Sequence, residues 1–377
     1  MNLEEIKKYL KEYNGPELKI MEVCGSHTGA IAKNGIPGLL SDRIHLISGP
    51  GCPVCVTPSS YIDRLVDLCL TPGTCVVTFG DLIRVPGSRM SLQQASGRGG
   101  NVRMVYSPMD IFPMAHKDPD TTFVFAAVGF ETTAPVYALM VQQILEDHIE
   151  NVKLLTALRT MPGIIDRLCA QGADIQGFLA PGHVAVVTGS KAFEPLAAKY
   201  SIPFGVAGFT GAQILTALCG IVMACERMQG GGSRGTETGS ISGVETGGRE
   251  SAGTKAGGSL VMNFYPSVVT REGNTEAQKL VDRYFDRSDA VWRGMGMVPA
   301  SGRILREEFA QLDAGSRGLN EDHKINAGCC CDKVLMGRMK PTQCPLFGKV
   351  CSPLRPQGAC MVSTEGNCYT YYVNHRE

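Results

Sequence analysis

Sulfur carries most of the chemistry this sequence offers. Fifteen cysteines occur in 377 residues, and twelve of them fall into two groups. Cys24, Cys52, Cys55, Cys69 and Cys75 lie early in the chain, and Cys329, Cys330, Cys331, Cys344, Cys351, Cys360 and Cys368 lie late. An odd total argues against a secreted disulfide framework. The opening MNLEEIKKYL mixes Glu and Lys and has no apolar leader, so a cytoplasmic protein is expected. Clustered thiols in a reducing compartment point to bound metal, reactive sulfur, or both.

In the first group, Cys24 stands where the β-type run Lys19–Val23 meets Gly25-Ser26-His27-Thr28-Gly29. The carboxyl end of a strand is where open α/β sheets bind ligands. A helix starting there would lower the thiol pKa, and His27 would add to the effect. Cys52 and Cys55 form a Cys-x-x-Cys within GPGCPVC, stiffened by Pro50 and Pro53. Three readings stay open. Three thiolates make a soft ligand set for iron or zinc with a fourth position vacant for chemistry. Alternatively, Cys52 and Cys55 are a thiol–disulfide redox pair, or all three are ordinary buried thiols. Cys69, on a helix, and Cys75, opening a strand, read as core.

The second group lacks the tight spacing of paired zinc knuckles. Gaps of six, eight and seven residues follow Cys344. They suit an irregular iron–sulfur site held by four thiolates, with structural zinc as the alternative. Seven cysteines exceed four, so a redox-active disulfide beside the cluster is within reach.

The elements that must position these thiols alternate. Short apolar runs ending in glycine-rich turns (LKIMEVCG, HLISGPGC, TCVVTFGD, NVRMVYSP, FVFAAVGFETTAP, KLLTAL, GFLAPGHVAV, IPFGVAGF) are separated by helical stretches such as 3–12, 59–70 and 136–149. Continuous apolar strands between helices predict α/β architecture with parallel sheets covered on both faces. EVCGSHTGA resembles AVGFETTAP, and SGPGCPV resembles LAPGHVAV, which suggests two similar domains. Boundaries are expected at 1–118 and 119–270 for these, with a Cys-rich helical or irregular domain at 271–377. Residues 229–259 hold eleven glycines and almost no large apolar side chain, and read as a flexible insertion.

Lys+Arg and Asp+Glu number 36 each, so nothing in the net charge favours nucleic acid or an anionic membrane. The longest apolar stretch, Ala212 to Cys225, is short for a bilayer. Several polar residues allow two readings. Asp81 and Arg84 line a crevice or form an ion pair. Glu131, Thr132 and Thr133 face a site or cap a helix. His183, answering Cys52 in the suggested repeat, joins a site or does not, and Trp292 and Arg293 serve packing or a partner.

EVCGSHTGA, GPGCPVCVTP, TFGDLIRVPG, GFETTAP, GFLAPGHV, WRGMG and CPLFGKVC, in this order, resemble the HypD family of nickel–iron hydrogenase maturation factors across nearly the whole chain. That resemblance implies two Rossmann-like α/β domains and a third domain with a 4Fe–4S cluster. It implies a complex with a small chaperone, HypC, on which an iron ion acquires two cyanides and one carbon monoxide. HypE, with HypF upstream, would donate cyanide, and the hydrogenase large subunit would be the destination. By motif, Cys24, Cys52 and Cys55, with His27, match the iron-binding and redox residues. Cys329, Cys344, Cys351 and Cys368 match cluster ligands, and Cys331 with Cys360 a thiol pair beside the cluster. Such a protein is an assembly scaffold with redox-active thiols more than an enzyme of the usual kind. A stand-alone cluster-dependent thiol–disulfide oxidoreductase is the alternative. The sequence departs from the family at Cys329-Cys330-Cys331-Asp332, where Cys-x-Cys-Gly is usual, which leaves the ligand choice among those three open. It also departs at Thr210-Gly211.

Overall fold

The computed structural model of the protein describes residues 1–229, 259–323 and 326–374. The glycine-rich stretch expected to be flexible lies, apart from its two end residues, outside the described residues. The strands are β1 Leu18–Glu22, β2 Ile44–Ser48, β3 Thr74–Thr78, β4 Val102–Met104, β5 Thr122–Gly129 and β6 Val152–Arg159. They continue as β7 Gly177–Pro181, β8 Phe204–Ala207, β9 Val261–Asn263, β10 Phe285–Trp292 and β11 Gly296–Leu305. The chain divides into two units, Met1–Gly49 with Ile165–Thr275, and Pro50–Ile164 with Glu276–Glu377.

The first unit holds one all-parallel sheet in the order β2-β1-β7-β8-β9. Counted along the unit's own strands this is 2-1-3-4-5, a doubly wound order whose switch point lies between the first and third strands, β1 and β7. Every residue of β7 and β8 is buried, as a parallel strand covered on both faces requires. The opening helix Leu3–Glu12 is set by a capping box, with the Asn2 side chain accepting from the Glu5 N–H and the Glu5 carboxylate accepting from the Asn2 N–H. Its Ile6 and Leu10, four apart, are fully buried in the core with Ile214, Leu218 and Ile221. Each such side chain contributes roughly 1.5–3 kcal/mol of burial free energy. The helix Gly211–Gln229 is long and apolar enough to cross a membrane. Ten of its residues are buried within the unit, and packing accounts for that apolarity.

The second unit holds a mixed sheet in the order β10-β11-β6-β5-β3-β4. Its four parallel strands again run 2-1-3-4, with the switch point between β3 and β5. β11 joins β6 antiparallel, and β10 pairs antiparallel with β11. Phe125, Tyr137 and Leu154 centre its core, and the buried Tyr137 hydroxyl is satisfied by the Val128 carbonyl at 2.9 Å.

The α/β expectation stands, with differences in detail. Neither sheet has the 3-2-1-4-5-6 order associated with a Rossmann fold. Sheet membership also cuts across the expected segments: β1 and β2 share a sheet with β7, β8 and β9, whereas β3 and β4 pair with β5 and with each other. Residues 285–305, expected in a helical or irregular cluster domain, form the hairpin that extends the second sheet. The two sequence likenesses join strands in different positions. EVCGSHTGA follows the first strand of one sheet and AVGFETTAP the third strand of the other. SGPGCPV follows the edge strand β2, and LAPGHVAV begins at the end of the interior strand β7.

Candidate thiol sites

In the first unit, Cys24 lies just beyond the carboxyl end of β1, at the sheet's switch point, and is the N-cap of the helix Gly25–Lys33. Its side chain makes no capping bond, and a carboxylate two residues earlier does the work of fixing the turn. Glu22, buried at the end of β1, accepts the Cys24 N–H on Oε2 at 2.9 Å, and its Oε1 accepts the Thr28 hydroxyl. Desolvation pushes the Glu22 carboxyl up to about 7 against the hydrogen bonds from Thr28, Cys24 and Ser48 that favour its charge. His27 is fully buried, with Nε2 3.0 Å from the Gly208 carbonyl. Since a carbonyl only accepts, Nε2 carries the proton, and Nδ1 presents a lone pair that no described group meets. Burial pulls His27 down to about 4, so the ring is neutral at physiological pH. His27 and His183 both pack on Phe209, at 4.6 and 3.9 Å between ring centres. Glu22 and Phe209 were not evident from sequence. A Glu inside LKIMEV was the one available signal.

In the second unit, Cys52 is the N-cap of the single turn Pro53–Val56, and its Sγ accepts the Cys55 N–H at 3.2 Å. Cys52 and Cys55 are joined as a disulfide. Neither sulfur can be a thiolate until that bond takes up two electrons. Cys55 is fully buried, and its sulfur lies 3.9 Å from the carbonyl of Ala359, the residue before Cys360. Arg293 holds this turn from behind: its backbone N–H donates to Val56 O and its Nε to Thr57 O, both at 2.7 Å. Trp292 is packed wholly inside, stacked on Phe130 and donating from Nε1 to Ser301 Oγ at 2.8 Å.

The late cysteines belong to the same unit and interact with one another. Cys360, fully buried, hydrogen-bonds with Cys331 and Cys368, which together with burial holds its thiol far above the ordinary range. Cys368 is drawn down to about 6, because Cys331 and then Cys360 donate to it. Cys329 hydrogen-bonds with Cys331 and is raised, and Cys330 hydrogen-bonds with Cys344 and is raised chiefly by burial. Cys351 feels the charge of Cys331, Cys329 and Cys344. A Cβ on Gly358 would stand 2.5 Å from Cys331 Sγ and 2.8 Å from Cys329 Sγ, so a bare Cα is what lets these sulfurs approach. Among the described residues, no three His, Cys, Asp or Glu side chains are grouped so as to hold a single metal ion. The donor set is nonetheless all sulfur and in excess of four, and Cys351 is within electrostatic reach of Cys329 and Cys344, as Cys368 is of Cys351 and Cys329. That chemistry fits an iron–sulfur cluster.

The remaining candidates divide. Arg84 donates to Pro353 O at 2.9 Å, and no Asp81–Arg84 ion pair forms among the described residues. Glu131 lies beyond β5 at the switch point of the second sheet, with Oε1 accepting the Met161 N–H at 2.8 Å and Oε2 buried without a partner. Thr133 is the N-cap of the helix Ala134–Glu146 but its hydroxyl donates to Phe130 O at 3.2 Å instead of capping. Cys69, Cys75, Cys169, Cys219 and Cys225 are pushed up to about 11 by burial, as core thiols are.

A model of the HypD family, described as a hydrogenase formation family, matches residues 2–232 and 251–375. The chain belongs to the HypD family. It is 37% identical to the hydrogenase maturation factor HypD of Escherichia coli over 98% of this chain and 93% of that one. It is 36% identical to the HypD of Azotobacter vinelandii over 96% and 90% of the two chains. HypD membership makes hydrogenase maturation the setting of this protein.

Proposed function

We propose that this HypD-family chain, together with a HypC-type chaperone, scaffolds the iron of nickel–iron hydrogenase while that iron acquires two cyanides and carbon monoxide. HypE, supplied by HypF, would bring the cyanide, and the hydrogenase large subunit would take the finished fragment. In this reading Cys24 and the reduced Cys52 and Cys55 bind the iron, which is cargo. His27 offers its Nδ1 lone pair as an acceptor beside Cys24. Cyanide and carbon monoxide favour low-spin ferrous iron, and thiolates hold such an ion while leaving positions open.

The observation that supports the redox half is the packing of Cys55 against Ala359, next to a Cys360 that hydrogen-bonds Cys331. A Cys331/Cys360 dithiol attacks the Cys52–Cys55 disulfide, passes through a mixed disulfide, and leaves a Cys52/Cys55 dithiol with a Cys331–Cys360 disulfide. Two electrons and two protons move, and nothing else is consumed. Cys329, Cys344, Cys351 and Cys368 would hold a 4Fe–4S cluster, which supplies single electrons when bound.

Infrared spectra of the anaerobically purified chaperone complex test the assignment. Bands of iron-bound cyanide and carbon monoxide are expected for the native chain, and their loss for C24A. If those bands persist undiminished in C331S/C360S, the thiol exchange is wrong. If the native complex carries none, the scaffold reading is wrong. A cluster-dependent oxidoreductase for another disulfide would give the second result and still reduce Cys52–Cys55.

A further inference from the structure

Away from every cysteine, the second unit contains a buried cation without a counter-charge. Arg159, the last residue of β6, is 8% exposed. Its Nε and Nη2 donate to Val291 O at 3.2 and 2.9 Å, and its Nη1 to Leu158 O at 3.2 Å. All three bonds end on neutral carbonyls, two on Val291 O and one on Leu158 O, and Arg159 makes no ion pair among the described residues. Removing a charge from water is costly, and an opposite charge nearby offsets that cost. Burial accordingly pulls the guanidinium down to about 10, which leaves it charged at neutral pH. Of its five N–H groups, two are unused by these contacts.

The cation forms part of the wall of a small cleft that is partly open to solvent. Arg303, from β11, lines the same cleft, its side chain 17% exposed and Nη1 paired with Asp282 at 2.7 Å. Ser288 and Thr156 add polar lining, and β10 opens there through a register shift between Ser288 and Ala290 that removes backbone pairing. The sole acid in the wall is Asp289, and one of its oxygens is occupied by the Ala300 N–H at 2.9 Å. Two cations thus face one acid in the wall, and since Arg303 is already paired with Asp282, Arg159 is the positive charge left without a partner in a polar cleft partly open to solvent.

We propose that this cleft is a binding site for a small oxyanion, a phosphate or carboxylate group anchored on Arg159 with Arg303 as a second positive charge. A planar guanidinium with two free N–H groups suits two oxygens of one such group. The site uses none of the cysteines and would give the protein an anionic small-molecule ligand of its own.

Calorimetric titration of the full chain with inorganic phosphate, and separately with acetate, tests this at ionic strength held constant with chloride. Saturable binding of at least one anion is expected, and which one binds identifies the source of the oxyanion. R159Q, which can still donate to Val291 O, should weaken binding tenfold or more. R303Q should weaken it severalfold, and R98Q, on an exposed surface residue, should leave it unchanged. Should R159Q not fold, R159K and R303Q carry the test, with R159K binding and R303Q binding less tightly. No saturable binding of either anion, or binding that R159Q and R303Q leave untouched, overturns the proposal.

Discussion

Glu22 and Glu131, among the described residues, each bury a carboxylate, and each says something different. Glu22 is matched by an N–H and two hydroxyls and holds the Cys24 turn in place. Glu131 has one oxygen bonded and the other alone, and desolvation raises it from 4.5 to about 7. A carboxyl raised on folding binds its proton more tightly in the native state. Its contribution to stability is therefore complete below about 4.5 and is lost as pH rises through about 7. E131Q stays neutral throughout. Urea unfolding at pH 5 and pH 8 should show the variant gaining on the native chain at the higher pH, by on the order of 3 kcal/mol at most. Glu22 titrates in the same direction, so the variant should retain part of the decline. Residues of this kind were hard to read from sequence. A cysteine announces itself by type and spacing, whereas a glutamate within LKIMEV becomes informative only once β1 is known to lie inside a covered sheet.

At the scale of elements, the Cys52–Cys55 turn carries little of the fold. The disulfide closes a loop with a sequence separation of only 3. Chain entropy then gives it about 2 kcal/mol at most. C52S/C55S should unfold in urea within that margin of the native chain, which is what a working disulfide, free to open, requires. Gly358 makes the opposite prediction. G358A places a methyl group against Cys331 and Cys329, whose side chains can swing away, so the melting temperature should change little. Iron and acid-labile sulfide per chain, after anaerobic reconstitution, should fall by half or more if those sulfurs surround a cluster. The strands before residue 210 were legible because they are short apolar runs, most of them ending in a glycine-containing turn. The β10–β11 hairpin was not. Asp286, Arg287, Ser288 and Asp289 make β10 read as a loop, yet β10 is an edge strand, where polar side chains are tolerated.

For the whole molecule, the decisive fact is the order in which chain segments enter the two units. The chain changes unit after 49, 164 and 275, the last close to the expected boundary at 270 and the first two far from the one at 118. Strand pairing between β1 and β7 links residues 20–22 to 177–179, and no local pattern encodes so distant a partner. Hence the fragment 1–118, made alone, should lack a cooperative thermal transition by circular dichroism. It has β1 and β2 without β7, and β3 and β4 without β5. A fragment that melts sharply would contradict the division.

The β1–β7 pairing also has a meaning for the newborn polypeptide. On the ribosome, β1 emerges with one neighbour, β2, and its other edge has no complement until residue 177 has been added. At about 5–20 residues per second, the intervening stretch takes roughly 6–30 s to make. Through that interval an apolar, hydrogen-bond-hungry edge stands open in the crowded cell, so translation speed and attendant chaperones should govern how much of this protein matures.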